Sequence, residues 1–307
     1  MNLVLTIVAA ADGGLTTGIV DRLREAVASP LLTPGPTGWL APGRAADLTL
    51  DAAGGALDDV VPPTLRSQVE GLADALDLGP VDVALLPASG RRKRLLLADM
   101  DSTIVTGETL DEMAGRLGLK REIAAITARA MAGELDFEAA LRERVGMLQG
   151  LPESAIAETL AEVALSPGAE TLVRTMAAHG AHTVLVSGGF TDFTESVAAQ
   201  AGFAEHRANV LERADGRLTG QVREPILGRA AKDQTLRETA DRLGLTLSQT
   251  LAVGDGANDA ELIRHAGLGV GYRPKPLLRQ VADACVIHGD LTTLLYFQGY
   301  RRDQFVG

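Results

Sequence analysis

Asp99 and Asp101 stand one residue apart at the end of an apolar run, in "LLLADMDSTIVTGETLDEMA" (Leu95–Ala114). On an extended strand, residues two apart point to the same side. Two carboxylates placed this way repel one another and shift each other's titration. A divalent cation removes the conflict, and magnesium favours hard oxygen donors, commonly one or two carboxylates plus a substrate phosphate. Alone, the pair reads equally well as a solvated turn. A second acidic loop, "GDGAND" (Gly254–Asp259), follows the apolar "TLAV" and shifts the balance. There Asp255 would complete an oxygen ligand set, while Asn258 and Asp259 would hold the loop or touch a ligand. "SGG" (Ser187–Gly189) follows "HTVLV", where a hydroxyl and main-chain amides at a helix start suit a phosphate. Lys232 precedes an amphipathic stretch and would neutralise anionic charge if it reached the same place.

These clusters need elements that bring them together. "RLLLADMD", "HTVLVSGG" and "TLAVGDGAND" are apolar runs that end in small and polar residues, separated by helical stretches. That alternation predicts a Rossmann-like parallel sheet buried on both faces. In such sheets ligands bind beyond the carboxyl ends of the strands, where all three clusters fall. Four helical patterns between about residues 107 and 165 interrupt the alternation and predict a helical insertion covering the site. Residues 1–90 read as a separate small α+β unit, β-α-β-α-β with room for one more strand around Trp39. The basic "ASGRRKR" that follows reads as a solvated linker at the boundary. A chain starting near Ser89 is therefore expected to fold and to retain whatever chemistry the later residues perform.

The 307 residues carry a net charge of −11, which argues against a nucleic-acid partner and requires local cations at any anion site. A hydrophobic fraction of 46% with only 3% aromatic residues predicts a core of Leu, Val, Ala and Ile. No apolar run approaches the length of about 18 residues that a membrane span needs. The start, "MNLVLTIVAAADGG", lacks the basic residues of a secretory signal, so a cytoplasmic protein is expected. The lone Cys285 excludes an intrachain disulfide and reads as a small buried apolar residue. The five histidines show no ligand spacing.

In this order, "DMDST", "SGG", Lys232 and "GDGAND" resemble the four motifs of the haloacid dehalogenase-like phosphohydrolases. Within them the chain is similar to the phosphoserine phosphatase family over about residues 95–298. "AMAGELDFEAALRERVGMLQGLP" (Ala130–Pro152) is similar to that family's cap nearly throughout. The resemblance implies a phosphatase domain over 91–307 with a helical cap at about 107–165. It implies an ACT-like, ferredoxin-like regulatory or dimerisation domain over 1–90, by element order alone.

It further implies that Asp99 is a nucleophile forming an aspartyl-phosphate, and that Asp101 shuttles the proton. Mg2+ would be held by the side chains of Asp99 and Asp255 and the main-chain carbonyl of Asp101. Ser187, the Gly188 amide, Lys232 and Asn258 would bind the phosphoryl group, with Gly189 and Asp259 supporting the loops. Glu108 would receive the ammonium and Arg144 the carboxylate of O-phosphoserine, under a lid packed by Met131 and Phe137. The implied reaction is hydrolysis of O-phospho-L-serine, the last step of serine biosynthesis. Phosphoryl transfer to another hydroxyl such as homoserine, hydrolysis of another small phosphomonoester, and a serine-sensing regulatory role remain open. So do homodimerisation through the first domain and serine binding by it.

Overall fold

The computed structural model describes residues 2–53, 61–131 and 135–307. The chain opens with β1 (Asn2–Ala9), α1 (Thr17–Val27), β2 (Leu32–Ala41), β3 (Ala45–Ala52), α2 (Pro63–Ala75) and β4 (Val81–Pro87). The four strands form an antiparallel sheet in the order β2-β3-β1-β4, the ferredoxin-like α+β arrangement. Central β1 is buried on both faces, so its apolar run is continuous rather than alternating. Leu3, Leu5 and Ile7 pack with the two helices, while Val4 and Val8 face the rest of the molecule. The extra strand expected near Trp39 is β2, where Trp39 pairs with Ala46. Its prolines, Pro34 and Pro36, are tolerated because β2 lies at the sheet edge and its register is broken beside them.

β5 (Leu95–Asp99) starts the second sheet. α3 (Thr109–Gly115), α4 (Lys120–Met131), α5 (Phe137–Gly146) and α6 (Ser154–Leu160) follow as the inserted cap. Its entering and leaving chains pair at the neck, Thr106 N donating to Ala164 O (3.1 Å) and Ser166 N to Ile104 O (2.8 Å). Then come α7 (Ala169–Ala178), β6 (His182–Phe190), α8 (Thr191–Ala201), β7 (Glu205–Asn209), β8 (Leu211–Ala214), β9 (Arg217–Val222) and α9 (Arg229–Arg242). β10 (Thr250–Gly254), α10 (Ala260–His265), β11 (Leu268–Tyr272), α11 (Pro276–Val281), β12 (Ala284–Val286) and α12 (Thr293–Phe297) complete the chain.

The second sheet is parallel, ordered β12-β11-β10-β5-β6-β7. After β5 the chain builds outward to β7, then returns to lay β10 on the other side of β5. The order reverses between β5 and β10, which is where doubly wound sheets bind ligands.

The β8–β9 hairpin was not expected. Its turn is Asp215-Gly216, both at positive φ (49° and 74°), a dipeptide that favours tight hairpins. β9 continues the cap: Gly150 N donates to Leu218 O and Leu218 N to Leu151 O, each at 2.9 Å.

The basic segment is no solvated linker. The side chain of Arg91 is only 12% exposed. It pairs with Asp47 (2.6 Å) and donates to Thr6 Oγ1 and to the carbonyls of Tyr296 and Phe297. Arg92 lies 4.3 Å from the Tyr300 ring centroid, and Lys93 donates to Ser248 O. Asp82, on β4, accepts three main-chain N–H groups, from Ile287, His288 and Gly289. Val4, Val8, Ala84 and Leu86 share one core with Leu291, Leu294, Leu295 and Tyr296. The first sheet is thus covered by its helices on one face and by α12 and its flanks on the other.

Candidate active site

β5 ends at Asp99, and the chain turns sharply over Met100–Ile104. Val105 N donates to Met100 O (3.0 Å), Asp101 is extended, and Ser102 is left-handed at φ 55°. This turn gives the two aspartates different surroundings. Asp99 is 4% exposed; its Oδ1 accepts from Met100 N (2.8 Å) and from Lys232 Nζ (2.6 Å). Asp101 faces the cap: its Oδ1 accepts from Thr109 N at the start of α3 (2.8 Å) and its Oδ2 from Ser187 Oγ (3.3 Å).

The acidic loop after β10 folds back on the same point. Carboxylate oxygens of Asp99, Asp255 and Asp259 all lie within 4.8 Å of one another. Gly254 is required there, because a Cβ would collide with the Asp259 carboxyl group. Asp259 is fully buried; it accepts from Lys232 Nζ (2.6 Å) and from Gly256 N (3.2 Å). Asp255 Oδ2 pairs with Lys275 Nζ at 3.0 Å. Lys275 was absent from the sequence reading, since only the fold carries the turn after β11 to Asp255.

Three carboxylates against two ammoniums leave one net negative charge, and Asp101 adds a fourth carboxylate nearby. At an effective dielectric of about 20, two unit charges this close repel by roughly 3–4 kcal/mol. The titration reflects the strain. Burial, then Asp259 and Asp101, push Asp99 well above the usual carboxylate range, against the pull of Lys232. Burial, then Glu108, raise Asp101 to about 6. Burial would lower Lys232, but Asp259 and Asp99 more than reverse it, so it stays charged. Buried hard oxygens with surplus negative charge fit a divalent cation. Both Asp259 oxygens already accept hydrogen bonds, whereas Asp99 Oδ2 accepts none among the described residues. Asp99 and Asp255 are therefore the better placed ligands. The Asp101 carboxylate stands outside this trio.

Ser187 ends the buried part of β6, and its Oγ also accepts from Gly189 N (2.8 Å). That amide is taken up in orienting Ser187. Asn209, also missed, is buried and ties two loops, donating to Gly188 O (2.9 Å) and accepting from Leu227 N (2.7 Å). Ser187, Gly188, Lys232 and Asn258 line a narrow cavity with Phe137 of the cap. A Cβ at Gly188 would lie 3.0 Å from Phe137 Cζ, so cap and sheet touch at this glycine. Met131 ends α4, but its side chain lies outside the described residues, as do residues 132–134 of the cap-like stretch.

Glu108 sits at the neck, accepting from Ser102 Oγ (2.7 Å). Arg144 Nε donates to Ala140 O (3.2 Å) within its own helix. Among the described residues no carboxylate lies within 4 Å of its guanidinium. It is half-buried, and burial lowers its pKa against the weaker opposing effect of Asp111, Glu108 and Asp101. Glu108 and Arg144 are thus close enough to the site to act on Asp101.

The family model described as haloacid dehalogenase-like hydrolase matches residues 96–264. A phosphoserine phosphatase of Streptomyces coelicolor is 44% identical over 233 residues, 75% of this chain and 57% of that protein. The chain spans about half the length of such curated relatives. Among solved structures, a family hydrolase of Salmonella enterica serovar Typhi covers 96% of this chain and 98% of its own (TM-score 0.82, 29% identity). A phospho-aspartyl intermediate analogue of phosphoserine phosphatase covers 67% of this chain and 99% of its own (TM-score 0.63, 37% identity).

Proposed function

From the premise that this chain belongs to the haloacid dehalogenase-like hydrolases, we propose that it is a phosphatase that hydrolyses O-phospho-L-serine to serine and phosphate. The observation that carries the reading is the buried Asp99 at the switch point, held by Lys232 and facing Asp255, with Asp101 set apart toward the cap.

Asp99 attacks phosphorus with one carboxylate oxygen and becomes an aspartyl-phosphate, leaving the other for the metal. The Met100 amide and Lys232 hold the carboxylate through Oδ1, so attack needs no reorientation. Asp101, raised to about 6, can hold a proton near neutral pH and deliver it to the departing serine oxygen. Ionised after that transfer, it takes a proton from the water that hydrolyses the phosphoenzyme. Thr109 N and Ser187 Oγ keep its carboxyl group in place through both transfers. Ser187, the Gly188 amide and Lys232 stabilise charge on the transferring group. Mg2+ held by Asp99, Asp255 and the Asp101 carbonyl would supply positive charge to the phosphoryl oxygens and relieve the carboxylate repulsion.

Glu108 takes the substrate ammonium and Arg144 its carboxylate, the pairing that separates phosphoserine from simpler phosphomonoesters. The relatives named for this substrate support the reading, as does the position of Glu108 at the neck, on the Ser102 hydroxyl. A cytoplasmic setting and a role in serine biosynthesis belong to the same proposal. Phosphate release from a panel of phosphomonoesters, with and without Mg2+, tests it. O-phosphoserine should be preferred and chelation should abolish turnover; preference for another ester would overturn the substrate assignment.

A further inference from the structure

The two lysines of the carboxylate cluster are built differently. Lys232 has a side chain only 5% exposed and is clamped between Asp99 and Asp259, 2.6 Å from each. Among the described residues Lys275 pairs only with Asp255, at 3.0 Å, and its side chain is 44% exposed. Its main chain, by contrast, is braced. Lys275 N donates to Asp255 O (2.8 Å), and Pro276 opens α11 immediately after it. Pro274 packs so closely on Gly271 that a Cβ there would lie 2.8 Å from the Pro274 ring. A fixed backbone therefore presents a flexible, half-exposed ammonium to one carboxylate.

We propose that Lys275 is an exchangeable cation at the metal site: it neutralises Asp255 while no metal is bound and swings into solvent when one arrives. This rests on reading Asp255 as a ligand. A carboxylate cannot give full charge to both an ammonium and a dication, so whatever Lys275 contributes to the metal-free state is subtracted from metal affinity. Half-exposed pairs are worth little, typically up to about 1 kcal/mol, so the competition is mild and reversible. Lys232 cannot play this part, because leaving would strand Asp259 buried and unpaired.

The test is calorimetric titration of Mg2+ into the substrate-free full-length protein, comparing the native sequence with Lys275→Met, Lys275→Gln and Lys275→Arg. Removing the charge should tighten Mg2+ binding by about three- to fivefold. Lys275→Arg, which keeps it, should stay within about twofold. In chelator the neutral variants should melt below the native protein, and Mg2+ should raise their Tm by more. A purely structural role for Lys275 would leave affinity unchanged or weaken it, and either result in a folded neutral variant overturns the proposal. If Lys275→Met fails to fold in chelator, the isothermal comparison rests on Lys275→Gln. Because no substrate enters the titration, loss of the phosphoserine assignment would leave this ordering of affinities intact.

Discussion

Two aspartates that look alike in sequence are given different surroundings by one sharp turn. Asp99 ends a buried strand under Lys232, whereas Asp101 is tethered to the first amide of α3. Glu108 and Arg144 lie outside the phosphate-handling set, so their loss should be selective. With Glu108→Gln or Arg144→Ala, kcat/KM for phosphoserine should fall on the order of a hundredfold, because a substrate charge would be left unpaired in a closed site. p-Nitrophenyl phosphate, which lacks both groups, should be affected far less. Equal losses on the two esters would show that these residues support cap closure instead. The aspartates, Ser187 and Lys232 were legible because each ends a recognisable apolar run or opens a helix. Lys275, Asn209 and Asp111 were not, since their partners lie at positions only the tertiary fold brings near.

At the scale of elements, parallel strands and cap helices were readable from periodicity, but one strand was blurred and one hairpin hidden, for different reasons. Prolines left β2 readable only as room for a strand near Trp39, and it tolerates them at a sheet edge. The β8–β9 hairpin carried a visible signal, Asp215-Gly216, that helix–strand alternation drew attention away from. Asn209, itself buried, joins Gly188 near the end of β6 to Leu227 in the segment before α9. Asn209→Leu should therefore cost about 2–3 kcal/mol, since main-chain groups lose their partner inside the protein. It should also raise KM by loosening Gly188. Denaturant unfolding and steady-state kinetics check both; an unchanged midpoint would contradict the bracing role.

At the scale of the whole molecule, the first unit is joined to the second by a shared core and by Arg91 and Asp82, although the sequence suggested an appendage. Buried positions of β1 and β4 look like any strand core, so nothing in their composition shows that half of them face another domain. A chain starting at Ser89 would bare Leu291, Leu294, Leu295 and Tyr296, and should melt well below the intact protein or aggregate. An equally stable, soluble truncation would contradict that. The same interface should respond to pH. Burial raises Glu70, between Arg66 and Asp283, to about 7. The folded state then holds a proton that the unfolded chain releases near 4.5. Its contribution is full below that value and lost as pH rises through about 7, by at most about 3 kcal/mol. Glu70→Gln should flatten the Tm-against-pH curve across this window; an unchanged slope would show that Glu70 titrates normally.

The claim that Asp99 forms a phosphoenzyme from phosphoserine is tested most directly by rapid acid quench during turnover, followed by peptide mass mapping. The native protein with Mg2+ should carry phosphate on the peptide containing Asp99, in step with serine release, and Asp99→Asn should show neither. Phosphate on another residue, or serine release from folded, non-deamidated Asp99→Asn at the native rate, would contradict the account.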